Sequence, residues 1–225
     1  MLKKFCVVVM CSLLFVSNLS TASAAGTSIM PVDIQVDYGS VISSTDETIT
    51  YGTLNPDEIA AYYGIDDPKE VSVTIFTGER EKAPVLAADT YSVGLYIDNV
   101  KGPNGACGAK EITRNGATNS SNKTVTKTIT LTGTVSNTYS TSVDAGIDVE
   151  VASISSGVGF DVTDSWSMSD ATQVDLEPYE SVMVYAYPLY DVYSFDVIND
   201  PLFGGPEEVG YGYAYECMGF CTVVR

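Results

Sequence analysis

From Thr124 to Ser142 a hydroxyl residue stands at every second position, Thr124, Thr126, Thr128, Thr130, Thr132, Thr134, Ser136, Thr138, Ser140 and Ser142. The odd positions between them carry Val125, Ile129, Leu131, Val135 and Tyr139. Side chains alternate across a strand with period two, so this run predicts an unusually long β-strand, or two strands joined without a change of register. The apolar phase stays on odd numbers through Val143, Ala145, Ile147, Val149 and Val151. It then moves to even numbers at Ile154, Val158, Phe160 and Val162, and on to Trp166 and Met168. Strict alternation changes phase only through a turn or a bulge, and the small residues from Ala152 to Gly157 are the natural place for one. The predicted unit is a β-hairpin, Val143–Val151 against Ile154–Val162, with Ala152 and Ser153 at its tip. One face of it is apolar, and the other carries Asp144, Asp148, Glu150 and Asp161.

Elsewhere, β-branched and aromatic clusters predict strands over 33–37, 71–76, 91–97, 173–176, 181–187 and 192–198, the last two separated by Pro188. The alternating Tyr211, Tyr213 and Tyr215 mark a final strand after a Gly/Pro loop over 199–206. One short helix is signalled near 56–63, with Asn55 as cap, Pro56 at its first position, Glu58 completing a capping box, and Gly64 as its stop. The fold class expected is mainly β: elongated antiparallel sheets or a β-sandwich, with long Ser/Thr-rich strands and that one helix. A Gly/Asn/Ser/Thr-rich stretch over 115–122 divides a β-rich part, 26–122, from a long-strand part, 123–225.

Residues 1–25 read as a secretory signal: Lys3 and Lys4, an apolar run from Phe5 to Val16, and an Ala22-Ser23-Ala24 cleavage site. The protein is therefore expected to be secreted, extracellular and, from the short signal, bacterial. Export into an oxidising compartment leaves Cys107, Cys217 and Cys221, enough for one disulfide with three possible pairings. Cys217 and Cys221 can pair only if the intervening residues turn, because four residues of straight strand span about 13 Å.

Charge sharpens this picture by exclusion. The chain has no histidine and a formal net charge of −18, so imidazole general bases, His-dependent nucleophile systems and His-ligated metal sites are ruled out. The acid is concentrated late: residues 128–225 carry 15 acidic residues against the single basic Arg225. Such a surface does not bind a nucleic-acid backbone, which requires clustered Lys and Arg. No cofactor motif, calcium loop or metal-ligating pattern occurs, and the carboxylate clusters read as a solvated acidic face. Eight of the 15 tyrosines lie between 179 and 215, where they serve either as an exposed aromatic belt or as cross-strand packing.

Residues 124–187 resemble the central region of aerolysin-type β-pore-forming proteins, including the epsilon-toxin and mosquitocidal-toxin branch. The likeness rests on the Ser/Thr-alternating run 124–142, on Gly146-Ile147-Asp148-Val149, on 158–169, and on the proline-containing stretch 174–184. It implies an elongated all-β protein, non-enzymatic, that self-oligomerises and inserts the 143–163 hairpin into a target bilayer. Val143, Ala145, Ile147, Val149, Val151, Ile154, Val158, Phe160 and Val162 would then face lipid, and Asp144, Asp148, Glu150 and Asp161 the lumen. The competing expectation is a soluble extracellular β-sandwich that binds a ligand or cell wall without forming pores. A carboxylate-based hydrolase, the third reading, needs two acids facing each other across about 5–10 Å.

Overall fold

The computed structural model describes residues 32–78 and 94–225; the expected signal segment, and the first residues of the strand expected at 91–97, lie outside them. The elements in chain order are β1 (Val32–Gln35), β2 (Tyr38–Ser44), β3 (Thr48–Thr53), α1 (Pro56–Tyr62), β4 (Glu70–Phe76) and β5 (Gly94–Gly108). They continue with β6 (Thr113–Thr118), β7 (Val125–Ser136), β8 (Thr138–Val143) and α2 (Val151–Val158). The last three are β9 (Ser165–Leu176), β10 (Ser181–Asp200) and β11 (Glu207–Val224). The protein is mostly β, antiparallel, with two short helices.

The spine is one long hairpin, β10 against β11, running from Val184↔Val224 at its base to Asn199↔Glu207 near its tip. Two strands succeed one another along each outer edge of it. Along β10, β6 pairs with residues 181–186 and β5 with residues 189–200. Along β11, β4 pairs with residues 219–224 and β8 with residues 210–215. β1 extends the β5 side, and β3 and β2 extend the β4 side, giving nine strands in one sheet. Strands from both sides of residue 122 thus share this sheet.

Pro188 does not interrupt β10 as the sequence implied. The backbone of Ala186 faces β6, where its carbonyl accepts from the Ile112 N–H at 2.8 Å. Pro188, two residues on, faces the same side, in the gap between the end of β6 and the start of the β5 ladder. A missing N–H costs nothing there, so the strand continues.

β7 and β9 form a separate two-stranded ribbon. Its apolar face packs Ile129, Leu131, Val135, Met168, Val174 and Leu176 onto Val182, Val184, Ala186, Tyr215, Phe220 and Val224 of the spine. The opposite face of the sheet is covered by α1, whose Ile59 and Ala60 pack with Val71, Val73, Leu189 and Val223. Alternation along the spine strands feeds both cores, as a sheet covered on two faces requires. The disulfide is Cys107–Cys221, joining β5 to β11 across 114 residues of sequence. Cys217 is buried and stands outside the bridge. Most of the late tyrosines are packing residues: Tyr187, Tyr190 and Tyr215 are buried, whereas Tyr179 and Tyr211 are exposed.

Of the two readings of the Ser/Thr run, the structure has two strands, β7 and β8, joined at Asn137 and lying in two different sheets, while a further expectation fails. The predicted hairpin 143–151/154–162 is not a hairpin in this state: after β8 come a loop, α2 and a second loop leading into β9. α2 is also a second helix where one was expected. The pattern permitted both outcomes, because Ile154 and Val158, four residues apart, share one face of a helix as well as one face of a strand. Tertiary packing decides, since Ile154 is fully buried in a cluster with Phe195, Val197 and Ala214 of the spine.

Candidate functional site

The ribbon is held firmly at one end and interrupted at the other. At its base the Lys69 ammonium donates to the carbonyl of Asp175 and meets the Glu180 carboxylate at 3.0 Å. The N–H of Glu177, and after it Lys69, hold the Glu180 carboxyl below its usual range, so this clasp weakens as pH falls through the carboxylate range. Asn119, 2% exposed, donates its side-chain amide to the carbonyls of Lys123, Leu176 and Glu177 at 2.7–3.1 Å. In the sequence Asn119 reads as part of a linker; a buried Asn with this many partners has no sequence signature beyond its turn propensity.

At the far end, ribbon partners obey one rule from Val125↔Leu176 to Ser136↔Ser165: their residue numbers add to 301. The Asn137 N–H donates to the Asp164 carbonyl at 2.8 Å, a further rung on the same rule. There the ladder stops. The Asn137 side chain donates to the Asp161 carbonyl at 2.7 Å and accepts from the Cys217 N–H at 2.8 Å. Cys217 lies at a bulge of β11, where the pairing with β10 slips by one residue, and its N–H needs this partner. By filling that place Asn137 turns the chain off the ribbon and onto the edge of β11.

Replacing Asn137 with Ala is expected to cost about 1–3 kcal/mol, because the Cys217 N–H is left buried without its acceptor. Denaturant unfolding measures the loss. Hydrogen exchange should quicken first between 137 and 164.

Residues 144–164 then cover the far end of the sheet. Val149, Ile154 and Val162 are buried, and Val143, Ile147, Val158 and Phe160 are half-buried. With Leu95, Ile97, Phe195, Val197, Val209 and Ala214 most of them form a third core cluster. Ala145 and Val151 are exposed, as are Asp144, Asp148 and Glu150, while Asp161 is partly covered. The apolar set expected to meet lipid therefore mostly faces the protein's own sheet here, and the acidic set mostly faces water.

Burial, rather than helix propensity, holds this covering in place. α2 has eight residues, Val-Ala-Ser-Ile-Ser-Ser-Gly-Val, with no side-chain cap hydrogen bond at its start. A helix this short does not stand alone in water, and this composition costs roughly 4 kcal/mol of helix propensity against alanine. Gly159, at φ +88°, closes it in the left-handed conformation that glycine adopts freely. On β8 the Ser140 hydroxyl is buried with no hydrogen-bond partner. An orphaned hydroxyl of this kind costs about 1–3 kcal/mol, so the docked position of β8 carries a built-in penalty.

Away from this segment, a cleft of about 520 Å³ between β2–β4 and β9 is lined by hydroxyls together with Glu47, Glu70 and Asp170. Burial raises the Glu70 carboxyl, and Asp170 accepts from the Thr74 hydroxyl at 3.2 Å. Among the described residues no cluster of three or more Cys, Asp or Glu side chains is arranged to hold a metal ion. No described helix is long and apolar enough to cross a membrane.

Among solved structures the chain is similar to parasporin-2, a Bacillus thuringiensis toxin that recognises cancer cells. That likeness has 16% identity over 74% of this chain and 77% of the other, with a TM-score of 0.30. It is also similar to lamprey immune protein, at 11% identity over 80% and 71% of the two chains and a TM-score of 0.31. A third similar structure is a Bacteroides vulgatus protein described as a candidate pore-forming toxin, at 10% identity over 81% and 73% and a TM-score of 0.29. No protein-family model matches the chain. No curated protein matches it either.

Proposed function

We propose that this is a secreted, non-enzymatic pore-forming protein that self-associates on a membrane and inserts residues 137–164 as a β-hairpin. Likenesses at TM-scores near 0.3 carry none of this; the chain's own strand register does.

The supporting observation is the continuity of the ribbon's rule past Asn137. Pairs adding to 301 place Tyr139 opposite Val162, Thr141 opposite Phe160, Val143 opposite Val158, and Ile147 opposite Ile154. All fall on the face that already holds Ile129, Leu131 and Val135 on β7 and Met168, Val174 and Leu176 on β9. The opposite face pairs Ser140 with Asp161, Ser142 with Gly159, Asp144 with Gly157, and Asp148 with Ser153. Two strands that now lie apart thus continue one ladder with no bulge and no change of face. The phase flip in the sequence becomes the hairpin turn itself, at Glu150-Val151.

This shifts the pairing by two residues on each arm from the tip at Ala152-Ser153 expected from pattern alone. Val151 accordingly moves from the lipid-facing set to the turn, and the other eight apolar residues keep their face. Arms of 13 residues on each side exceed the roughly 9–11 that a membrane strand needs. The lipid face carries no charge above Asp164 at its base. Asp144, Asp148 and Asp161 on the other face, with Glu150 at the turn, would ring the lumen and favour cations.

The direct experiment is dye release from liposomes by the purified protein lacking residues 1–25, with oligomers examined by gel filtration in detergent. Release with a cation-over-anion preference is expected. Absence of both release and oligomer across neutral, anionic and sterol-containing vesicles would overturn the reading in favour of a soluble sandwich module.

A further inference from the structure

We propose that the tip of the β10–β11 hairpin is a membrane-docking wedge, with Leu202 and Phe203 entering the interface of a zwitterionic bilayer. This goes beyond the insertion reading, because docking requires no hairpin and no pore.

The tip is the sequence Pro201-Leu-Phe-Gly-Gly-Pro206. Phe203 is 92% exposed and Leu202 76% exposed, the two most exposed large apolar side chains among the described residues. Held in water, neither side chain contributes its hydrophobic burial to the fold. Their shape and size point to lipid as the occupant. Two side chains on a convex turn offer on the order of 300 Å². A stable protein partner needs roughly 800 Å² from each side, far more than these two side chains supply. A bilayer interface takes small convex wedges of this kind, with aromatic rings at the headgroup level.

Position supports the same occupant. Val143 pairs with Gly210, the Asp144 N–H donates to the Val209 carbonyl at 3.1 Å, and Asp200 pairs with Gly94. The wedge and the segment proposed to insert are therefore at the same end of the sheet. Charge selects the lipid. Asp200, Glu207 and Glu208 flank the turn, and no Lys or Arg occurs between 128 and 224, so an anionic surface would repel this end whereas a zwitterionic one does not.

The test uses the chain lacking residues 1–25 with phosphatidylcholine vesicles. Because Trp166 is the single tryptophan, the Trp166→Phe/Phe203→Trp variant reports on the tip alone. Its emission is expected to shift to shorter wavelength on adding vesicles and to be quenched by lipids brominated near the headgroup. Leu202→Ser/Phe203→Ser should float with vesicles at least about tenfold less than wild type, with an unchanged thermal midpoint. Replacing part of the phosphatidylcholine with phosphatidylserine should weaken binding. Overturning results are equal flotation of the Ser variant, unshifted emission in vesicle-bound protein, tighter binding to anionic vesicles, or no flotation of wild type at all. Failure of the insertion reading looks different: flotation and the emission shift persist while wild type releases no dye. Dye release that is indifferent to the Ser variant removes the wedge and leaves insertion standing.

Discussion

Oxidised Ile97→Cys/Gly157→Cys protein should be inactive on vesicles, with dye release at least about 100-fold below wild type, and reductant should restore it. A Cβ built at Gly157 falls 3.8 Å from the Cβ of Ile97, within the range that disulfides occupy. The pair joins α2 to β5, and Ile97 packs against the cluster that holds residues 144–164 on the sheet. The proposed mechanism requires those residues to leave, and a covalent staple forbids it. The staple should raise the thermal midpoint, so loss of activity with gain of stability separates a locked insert from a misfolded one. Wild type under the same reductant is the control for Cys107–Cys221, whose two residues are fully buried. Undiminished release by the oxidised protein would show that α2 stays docked during function, and the hairpin reading would fall.

Legibility in the sequence divides by the range of the interactions. Period-two alternation is local, so the two faces of β7, β9, β10 and β11 and the inward set Ile129, Leu131 and Val135 are legible. The Pro56–Tyr62 helix is legible too, because its proline start and the glycine stop that follows it act within one turn. The break at Asn137 is not. It depends on the Cys217 N–H, 80 residues away, at a bulge that no single strand announces. Pro188 reads as a breaker because a proline's harm depends on which neighbour its missing N–H faces, and that neighbour is fixed by β5 and β6. The Cys107–Cys221 pairing likewise requires the sheet order. At the candidate site, pattern predicts a hairpin where the structure has a helix between two loops. Ile154 and Val158 satisfy both periods, and only the packing of Ile154 against Phe195, Val197 and Ala214 selects the helix. A segment patterned for one structure and held in another by burial alone is a local conflict of the kind that concentrates at functional elements.

The ribbon's register leads to the second large effect. In membrane-bound protein, Asp144→Cys/Gly157→Cys should cross-link nearly completely under mild oxidation, and Asp144→Cys/Asp161→Cys only weakly. The first pair adds to 301; the second adds to 305, the register implied by a tip at Ala152-Ser153. The contrast is sharpened by ladder geometry. Asn137 bonds to Asp164, so odd-numbered positions on the first arm are hydrogen-bonded pairs and even-numbered ones are not. Asp144 and Gly157 therefore form a non-hydrogen-bonded pair, with Cα atoms near 4.5 Å and side chains close enough for a disulfide. In the second pair the residue at 161 lies four positions along the strand from the partner of 144, about 13 Å away. A strong 144–161 product with a weak 144–157 product would mean that the hairpin forms its own register, and that β7 and β9 do not template it. Equal, weak products from both would mean that residues 143–163 form no hairpin on the membrane. The expected 144–157 product would make the ribbon the nucleus from which the hairpin grows. Residues 125–136 and 165–176 would then fix, before any contact with lipid, which side chains meet the bilayer.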